Sequence, residues 1–261
     1  MSLFHALLLG AVQGLTEFLP ISSSGHLVLV QHLLHLQGDS LSFDVLLHFG
    51  TLLAVVVALR RDLIHLLTRP FDRLVGLLII STIPTVAIGL IFEKTFESIF
   101  HSGATLGIEF IITGTMLLYV ESLAHHERPV LAREMKYHSA FWIGMAQGAA
   151  ILPALSRSGL TLCTALGAGI ERKDAVRYSF LLSVPIILGA TVFELKDIPQ
   201  SQFVLNPILL AGMAVSGITG YIAIRFLLRM IERASLRPFG YYTLVLGALI
   251  LGDQLVFHAF F

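Results

Sequence analysis

Segment 152–161, which reads Leu-Pro-Ala-Leu-Ser-Arg-Ser-Gly-Leu-Thr, places an arginine among hydroxyl side chains between two apolar stretches. An arginine buried in a membrane is costly, and it usually meets an anion or lines a water-filled cavity. The guanidinium of Arg157 stays charged, and its planar fork matches phosphate oxygens. Ser156, Ser158 and Thr161 add hydroxyl groups beside it. We therefore predict that this segment binds phosphate.

A second polar segment, 13–26, carries groups suited to acid–base and metal chemistry. Gln13 and Glu17 are four residues apart, so they share one helix face and can offer oxygen ligands to a divalent cation that bridges phosphates. Ser22 can cap the next helix, whose first N–H groups then face an anion. His26 lies one turn into that helix. Because an imidazole ordinarily titrates near neutral pH, His26 fits a proton shuttle.

Together the two segments offer a carboxylate, an imidazole, hydroxyls and a guanidinium, which suits phosphoryl transfer. Structural roles compete for the same residues. Glu17 can face water at the membrane edge, or form a purely structural ion pair with Arg157. His26 can donate to a backbone carbonyl, while Ser24 and Ser158 can merely cap helices. We favour function for the ionisable groups, because such groups inside a membrane usually serve it.

The remaining ionisable residues give weaker indications. The chain has no HExxH or similar metal-ligand spacing. Asp44 and Glu109 have weak claims to a role. Four further histidines are predicted to lie at membrane interfaces or in loops: His48, His65, His125 and His126.

The composition identifies an integral membrane protein. Of 261 residues, 56% are hydrophobic and 13% are charged, whereas soluble domains contain about 25% charged residues. The net charge is zero, which excludes a basic surface for nucleic acid. The single cysteine, Cys163, excludes an internal disulfide and a cysteine-based metal cluster. The N-terminus lacks a cationic region before its apolar stretch, so we expect no removable signal peptide.

Six apolar segments approach the roughly 20 residues that a membrane-spanning helix needs. They cover residues 42–59, 74–92, 105–121, 178–193, 207–224 and 239–257. Two further apolar stretches, 3–36 and 140–170, are interrupted by proline, glycine and serine. Irregular backbone at membrane depth must line a cavity or be buried in protein, so we predict two re-entrant helical hairpins. The predicted fold is one all-α polytopic membrane domain over residues 1–261.

The basic residues predict the orientation of these segments. Fourteen of the 17 Lys and Arg residues fall into four loops, which the positive-inside rule places in the cytoplasm. These residues are Arg60, Arg61, Arg69, Arg73, Arg128, Arg133, Lys136, Arg172, Lys173, Arg177, Arg225, Arg229, Arg233 and Arg237. Both termini then lie outside, and the two hairpins enter from opposite faces. We also expect the row Arg225, Arg229 and Arg233 to form a stripe against anionic lipid.

Shifting the chain by 134 residues aligns the two polar segments with each other. The aligned pairs are Gln13 with Gln147, Gly14 with Gly148, Ser22 with Ser156, Ser24 with Ser158, and Gly25 with Gly159. Each half contains a hairpin followed by three spans, and because three is odd, the halves have opposite orientations. Such inverted repeats place their sites where broken helices meet near the midplane. We predict repeats over about residues 1–124 and 138–261.

Both polar segments match motifs of a known protein family. Segment 13–26 contains Gln-Gly-Leu-Thr-Glu-Phe-Leu-Pro-Ile-Ser-Ser-Ser-Gly-His, which fits the pattern (E/Q)xxxE and the residues that follow it. Segment 153–161 fits the pattern PGxSRSxxT except at its second position. The likeness continues through residues 43–57 and 180–190. The chain thus resembles the bacterial undecaprenyl-diphosphate phosphatases of the BacA type, the bacitracin-resistance proteins.

The resemblance implies hydrolysis of undecaprenyl diphosphate to undecaprenyl phosphate and inorganic phosphate, which recycles the lipid carrier of cell-wall synthesis. It implies a location in the bacterial inner membrane, an active site that opens to the periplasm, and dependence on Mg²⁺ or Ca²⁺. By position, Glu17 is the family's acid, His26 its histidine and Arg157 its phosphate-binding arginine. The diphosphate-binding set becomes Ser22, Ser24, Gly25, Ser156, Arg157, Ser158 and Thr161.

Two residues depart from the family pattern. Ala154 stands where the pattern has glycine, and if that position needs a positive φ, the alanine is strained. Gln13 replaces the alternative glutamate and removes one charge from a metal site. With Gln13 and Glu17 as its ligands, we expect a cation to arrive with the diphosphate.

The expected mechanism begins with attack on the terminal phosphorus by Ser23, with Ser22 or a water as alternatives. In it, His26 moves the proton, and Glu17 orients His26 or a Mg²⁺ ion. The rival function is a transporter or flippase of an anionic lipid or small anion, because inverted repeats with broken helices are common in transporters. The lipid bilayer and the lipid diphosphate are the expected partners, and a homodimer stays open.

Overall fold

A computed structural model of the chain describes residues 1–36, 41–123, 129–194, 196, 206–231 and 234–257. These residues form eleven α-helices, with a 3₁₀ turn before α7 and a π-helical turn after α11. The helices are α1 Leu3–Phe18, α2 Ser23–Leu33, α3 Leu41–Ala58, α4 Arg60–Thr68, α5 Arg73–Ser102, α6 Leu106–Leu123, α7 Tyr137–Ala149, α8 Arg157–Gly167, α9 Arg172–Glu194, α10 Pro207–Met230 and α11 Arg237–Gly252. The predicted all-α fold class is confirmed.

In the described parts of the chain, five helical segments are long and apolar enough to cross a membrane, and a bent pair of helices makes a sixth candidate. They lie in α5, α6, α9, α10 and α11, and in α3 with α4. The chain is therefore a multi-pass membrane protein. The sequence did not predict α4, which turns away from α3 by 77°. Its Leu63 and Leu66 pack on the core while Ile64 and Leu67 are exposed, so its period is that of an amphipathic helix.

The two interrupted stretches each form a pair of short helices separated by a turn, as predicted. The first hairpin consists of α1 and α2, with 16 and 11 residues. The second consists of α7 and α8, with 13 and 11 residues. At about 1.5 Å per residue, none of the four reaches the roughly 30 Å of a hydrocarbon core. Each pair is therefore suited to enter and leave a membrane on the same side.

Glycines seat each hairpin against a long helix from the other half of the chain. Gly10 and Gly14 of α1 lie against α10, where a Cβ on Gly14 would stand 2.7 Å from the Gly220 backbone nitrogen. Gly144 of α7 lies against α5 in the same way, and a Cβ there would stand 2.7 Å from the Pro84 ring. Small residues allow helix backbones to approach closely in membranes, and here they let α1 pack on α10 and α7 on α5.

Equal offsets relate the two halves. The helix α2 begins at Ser23 and α8 at Arg157, while α5 begins at Arg73 and α10 at Pro207. Both offsets equal the shift that aligns the polar segments. The packing follows the same correspondence: α1 of the first half packs on α10 of the second half, and α7 of the second half packs on α5 of the first. The inverted repeat itself stays a prediction, since equal offsets do not measure the rotation between the halves.

Contacts between the basic loops bring them to one end of the bundle. They join Arg177 to Asp62 at 3.4 Å, Arg73 to the Arg133 carbonyl at 2.9 Å, and Arg172 to Glu121 at 3.1 Å and to the Ile231 carbonyl at 3.2 Å. Two members of the predicted basic set, Arg128 and Arg233, lie outside the described residues. That the basic end faces the cytoplasm stays a prediction.

Candidate active site

The turns of the two hairpins bind each other directly. Ser24 Oγ donates to the Pro153 carbonyl of the second hairpin, and Ser158 Oγ donates to the Leu19 carbonyl of the first, at 2.8 Å. Ser22 Oγ donates to the same Pro153 carbonyl at 2.9 Å. These bonds join residues more than a hundred positions apart, so they hold the start of α2 beside the start of α8. The structure thus brings the two predicted polar segments together.

Glu17 lies at the centre of the joined tips, with 7% of its side chain exposed. Its Oε1 accepts a hydrogen bond from Arg157 Nη2 at 2.6 Å. Its Oε2 accepts from Ser23 Oγ at 2.5 Å and from Gln13 Nε2 at 3.0 Å. Both oxygens therefore have donors, and Glu17 and Arg157 form an ion pair. The other terminal nitrogen of Arg157, Nη1, is buried and has no hydrogen-bond partner within the part of the chain that the structure describes, so its hydrogens can bind an anion.

An unusual backbone conformation presents Ser23 at the start of α2. Ser22 has φ 69° and ψ 106°, in a region that L-residues seldom adopt. Its Oγ accepts the Gly25 N–H at 3.3 Å, which confirms the predicted N-cap. Such outliers cost about 1–3 kcal/mol and persist where surrounding contacts impose them. Here the bond from Ser22 to Pro153 supplies one such contact. Ser23 is consequently turned towards Glu17.

His26 has partners other than the groups expected from the sequence. Its Nδ1 lies 2.5 Å from the Ser22 carbonyl, and its Nε2 lies 2.7 Å from the Tyr242 hydroxyl of α11. A carbonyl only accepts, so Nδ1 carries a hydrogen, and in the neutral imidazole Nε2 then accepts from Tyr242. Among the hydrogen bonds of the described residues, none joins His26 to Glu17 or Ser23. The carboxylate of Glu17 instead accepts from Ser23, Arg157 and Gln13, and the expectation that Glu17 orients His26 or a Mg²⁺ ion stays a prediction.

Most predicted diphosphate ligands use their hydroxyl hydrogens within the protein. Ser156 Oγ caps α8 by accepting from Gly159 at 3.0 Å, and it donates to Ser158 Oγ at 3.2 Å. Thr161 Oγ1 donates to the Arg157 carbonyl at 2.8 Å. The hydroxyls of Ser22, Ser24 and Ser158 hold the tips together, as described above. Gly25 packs so closely that a Cβ would lie 2.7 Å from the Phe110 ring. In this arrangement these residues shape the site, whereas Arg157 Nη1 has no hydrogen-bond partner among the described residues. Diphosphate binding by the predicted set stays a prediction.

Ala154 is not strained, so the expectation based on a positive φ is wrong. Among the described residues other than glycine, only Ser22 and His35 have a positive φ. Ala154 is fully buried, and its N–H donates to Glu109 Oε2 at 2.6 Å. An alanine therefore fits this position with ordinary backbone geometry.

Three residues near the tips were not assigned a role from the sequence. His48 was expected at an interface or in a loop, but it lies in α3 with its Nε2 4.0 Å from Glu17 Oε2. Tyr242 meets His26, and Glu109 meets the second tip. The available signal was weak, because it consisted only of ionisable or hydroxyl groups within apolar spans. His125 and His126 lie outside the described residues.

The donor set suits a divalent cation only in company with a diphosphate. Among the described residues, no group of three or more His, Cys, Asp or Glu side chains could hold a metal. Gln13 Oε1 is buried and finds no hydrogen-bond partner in the described ranges, and it belongs to the same side chain whose Nε2 bonds Glu17. One amide oxygen and one carboxylate match the few protein ligands that Mg²⁺ takes when substrate phosphates complete its shell.

Comparison with known proteins identifies the family of this chain. The sequence profile described as "Bacitracin resistance protein BacA" matches residues 6–249. The undecaprenyl-diphosphatase of Carboxydothermus hydrogenoformans is 44% identical over 255 residues, covering 96% of this chain and 97% of that protein. Undecaprenyl-diphosphatase 4 of Bacillus thuringiensis subsp. konkukian is 44% identical over 256 residues, covering 97% and 98%. The undecaprenyl-diphosphatase of Korarchaeum cryptofilum is 43% identical, covering 96% and 99%. With its paired polar hairpins and a profile match along nearly its whole length, the chain belongs to the BacA family.

Proposed function

We propose that this protein is an undecaprenyl-diphosphate phosphatase, which releases inorganic phosphate from undecaprenyl diphosphate and regenerates undecaprenyl phosphate. The family and the names of its relatives support this reaction. The observation that carries the mechanism is the Ser23 hydroxyl 2.5 Å from a carboxylate whose other oxygen meets Arg157. No observation on the described residues favours the transporter alternative.

In the first step, Ser23 Oγ attacks the terminal phosphorus of the diphosphate. The Ser23 proton passes to Glu17 Oε2, to which it is already hydrogen-bonded. The bond from phosphorus to the bridging oxygen breaks, and undecaprenyl phosphate leaves with the electron pair. Because the leaving group is a phosphate monoester, it needs no proton to depart. Arg157 stabilises the negative charge on the transferred group through its unpaired Nη1.

In the second step, water attacks the phosphoserine on Ser23. The bond from phosphorus to Ser23 Oγ breaks, and Glu17 returns its proton to that oxygen. The water keeps both hydrogens on the released dihydrogen phosphate, so atoms and charge balance. Glu17 thus acts as base and then as acid, which is the exchange of roles expected for one carboxyl group in a two-step hydrolysis.

His26 acts through its neighbours in this arrangement. Its Nδ1–H binds the carbonyl of Ser22, and its Nε2 accepts from Tyr242. Both ring nitrogens are therefore occupied, and the imidazole supports the strained turn before Ser23. We assign His26 a positioning role in place of the proton transfer expected from the sequence.

A divalent cation enters this proposal with the substrate. Gln13 Oε1 and Glu17 would hold Mg²⁺ or Ca²⁺, which would offset part of the diphosphate charge. The chain would lie in the bacterial inner membrane with its non-basic end, its termini and the opening of the site towards the periplasm. The lipid tail would lie in the bilayer.

Phosphate release by the purified protein in detergent tests the function, because transport has no meaning there. We expect the wild type to release phosphate from undecaprenyl diphosphate, Arg157→Ala to lose most of this activity, and chelation to lower it. Ser23→Ala should reduce kcat by at least about 10³-fold while binding persists, since the variant lacks the nucleophile. Substantial turnover by Ser23→Ala would instead support water as the attacking group. A wild type that releases no phosphate under any of these conditions would refute the proposed function.

A further inference from the structure

The loop before Arg157 is held by a helix that contributes no atom to the proposed reaction. The helix α6 offers Glu109, whose Oε2 accepts the Ala154 N–H at 2.6 Å. One turn further along α6, Thr113 Oγ1 accepts the Ser156 N–H at 3.1 Å and donates to the Ala154 carbonyl at 3.4 Å. Two side chains of α6 therefore bind three backbone groups of the loop.

These bonds serve backbone groups that the loop cannot satisfy by itself. Glu109 and Thr113 have 3% and 0% of their surface exposed, and Ala154 and Ser156 are fully buried. A buried amide without a partner destabilises the fold, so these amides require acceptors from elsewhere. A carboxylate is a particularly strong acceptor, which suits Glu109 to hold a turn at fixed position.

The position of the loop determines the position of the guanidinium. Arg157 is the first residue of α8, directly after Ser156, whose side chain caps that helix. The arginine must place Nη2 on Glu17 and Nη1 towards the substrate. A displacement of about 1 Å can reduce the rate of a reaction by about 10²-fold when it misaligns a reacting group. The support from α6 therefore bears on catalysis although it lies outside the reacting atoms.

We propose that Glu109 and Thr113 are positioning residues that hold the loop before Arg157 so that its guanidinium addresses the diphosphate. The inference rests on the proposed function, and it assigns the α6 side chains a part in that function. Both residues act through the loop backbone, so an oxygen acceptor of similar size should replace either. Removal of the acceptor should misplace Arg157 without removing any reacting group.

Paired variants at each position test this inference. We expect Glu109→Leu to lower kcat/KM for undecaprenyl diphosphate by about 100-fold and Thr113→Val by about 10-fold. Glu109→Gln and Thr113→Ser should stay within about 5-fold of the wild type, because each keeps an oxygen acceptor. Thr243→Val is the matched control. Thr243 is a buried threonine on α11, and its hydroxyl bonds to Phe239 and Gly240 of its own helix.

Calorimetric titration with inorganic pyrophosphate supplies a readout that does not require turnover. We expect Glu109→Leu and Thr113→Val to weaken pyrophosphate binding at least about 5-fold, measured at a temperature at which circular dichroism shows both variants and Thr243→Val to be fully folded. The inference is overturned if both variants keep wild-type kcat/KM and pyrophosphate affinity. It is equally overturned if their losses merely follow a lower melting temperature and recur in Thr243→Val.

The same measurements separate failure of the inference from failure of the proposed function. A wild type that binds pyrophosphate but hydrolyses no lipid diphosphate would refute the function, while the binding data would still decide the role of α6. A wild type that neither binds nor hydrolyses would refute both.

Discussion

The buried ion pair between Glu17 and Arg157 allows stability to be separated from activity. Arg157→Met removes the guanidinium and leaves Glu17, with 7% of its side chain exposed, as an unpaired carboxylate. The pair is short, at 2.6 Å, and only 13% of the arginine side chain is exposed. Removal of one partner from such a pair costs about 3–5 kcal/mol in general. Ser23 and Gln13 continue to donate to Glu17, so we expect the lower end, about 3 kcal/mol.

The double variant Glu17→Gln with Arg157→Met removes both charges at once. Because no buried charge is then left unpaired, we expect it to regain about 2 kcal/mol of the free energy of unfolding. Both variants should lack phosphatase activity. Asp62→Asn is the control, since the pair that Asp62 forms with Arg177 is partly exposed and should contribute less than about 1 kcal/mol.

Unfolding by sodium dodecyl sulfate in mixed micelles, followed by circular dichroism, measures these free energies. The single variant Glu17→Gln completes the comparison. The reasoning fails if the loss of unfolding free energy in the double variant equals the sum of the losses in Arg157→Met and Glu17→Gln. That additivity would mean that the carboxylate and the guanidinium do not stabilise each other across the two tips.

Three further predictions concern the turn, the hairpin packing and a helix cap. His26→Asn should keep kcat within about 10-fold because its amide can still donate to the Ser22 carbonyl, whereas a proton shuttle would lose about 10²–10⁴-fold; turnover assays distinguish these results. Gly14→Ala should lower the free energy of unfolding by about 1–3 kcal/mol through overpacking. Gly76→Ala should not, because a Cβ added at Gly76 would have no atom within 4 Å. Equal losses in the two variants, measured by unfolding in mixed micelles, would contradict the packing argument. The Leu74 N–H at the start of α5 holds the pKa of Asp72 below its ordinary value. The ionised Asp72 carboxylate therefore stabilises the fold at pH values above the ordinary carboxyl pKa, and this stabilisation is lost as the pH falls through the lowered pKa of Asp72. As the pH is lowered, the melting temperature of Asp72→Asn should therefore fall less than that of the wild type. Equal falls in the two proteins would refute this prediction.

The spans and the hairpins could be predicted because their signals are local. Apolar length marks α5, α6, α9, α10 and α11, and the interruptions by proline, glycine and serine mark both turns. The helix α4 escaped prediction because it follows α3 almost without a break in the chain. Nothing in the local sequence specifies its 77° bend.

The site could be predicted in its residue types but not in its pairings. The motifs identified Glu17, Ser23 and Arg157, whose chemistry suits a phosphate. The partners of His26 could not be predicted, because Tyr242 lies 216 positions away and belongs to an ordinary apolar span. The same holds for Glu109, whose carboxylate is informative only once α6 is known to lie beside the second tip.

The mutual bonding of the two tips also determines when this site can arise during biosynthesis. The contacts that join the tips link positions 129 to 140 residues apart. When only the first hairpin has been synthesised and inserted, Glu17 and Ser23 are present. The Pro153 carbonyl that supports their turn and the Arg157 guanidinium that binds Glu17 have not yet been made. The nascent chain is therefore inert until its second hairpin enters the bilayer. A truncated gene product would carry a reactive serine motif without the means to use it.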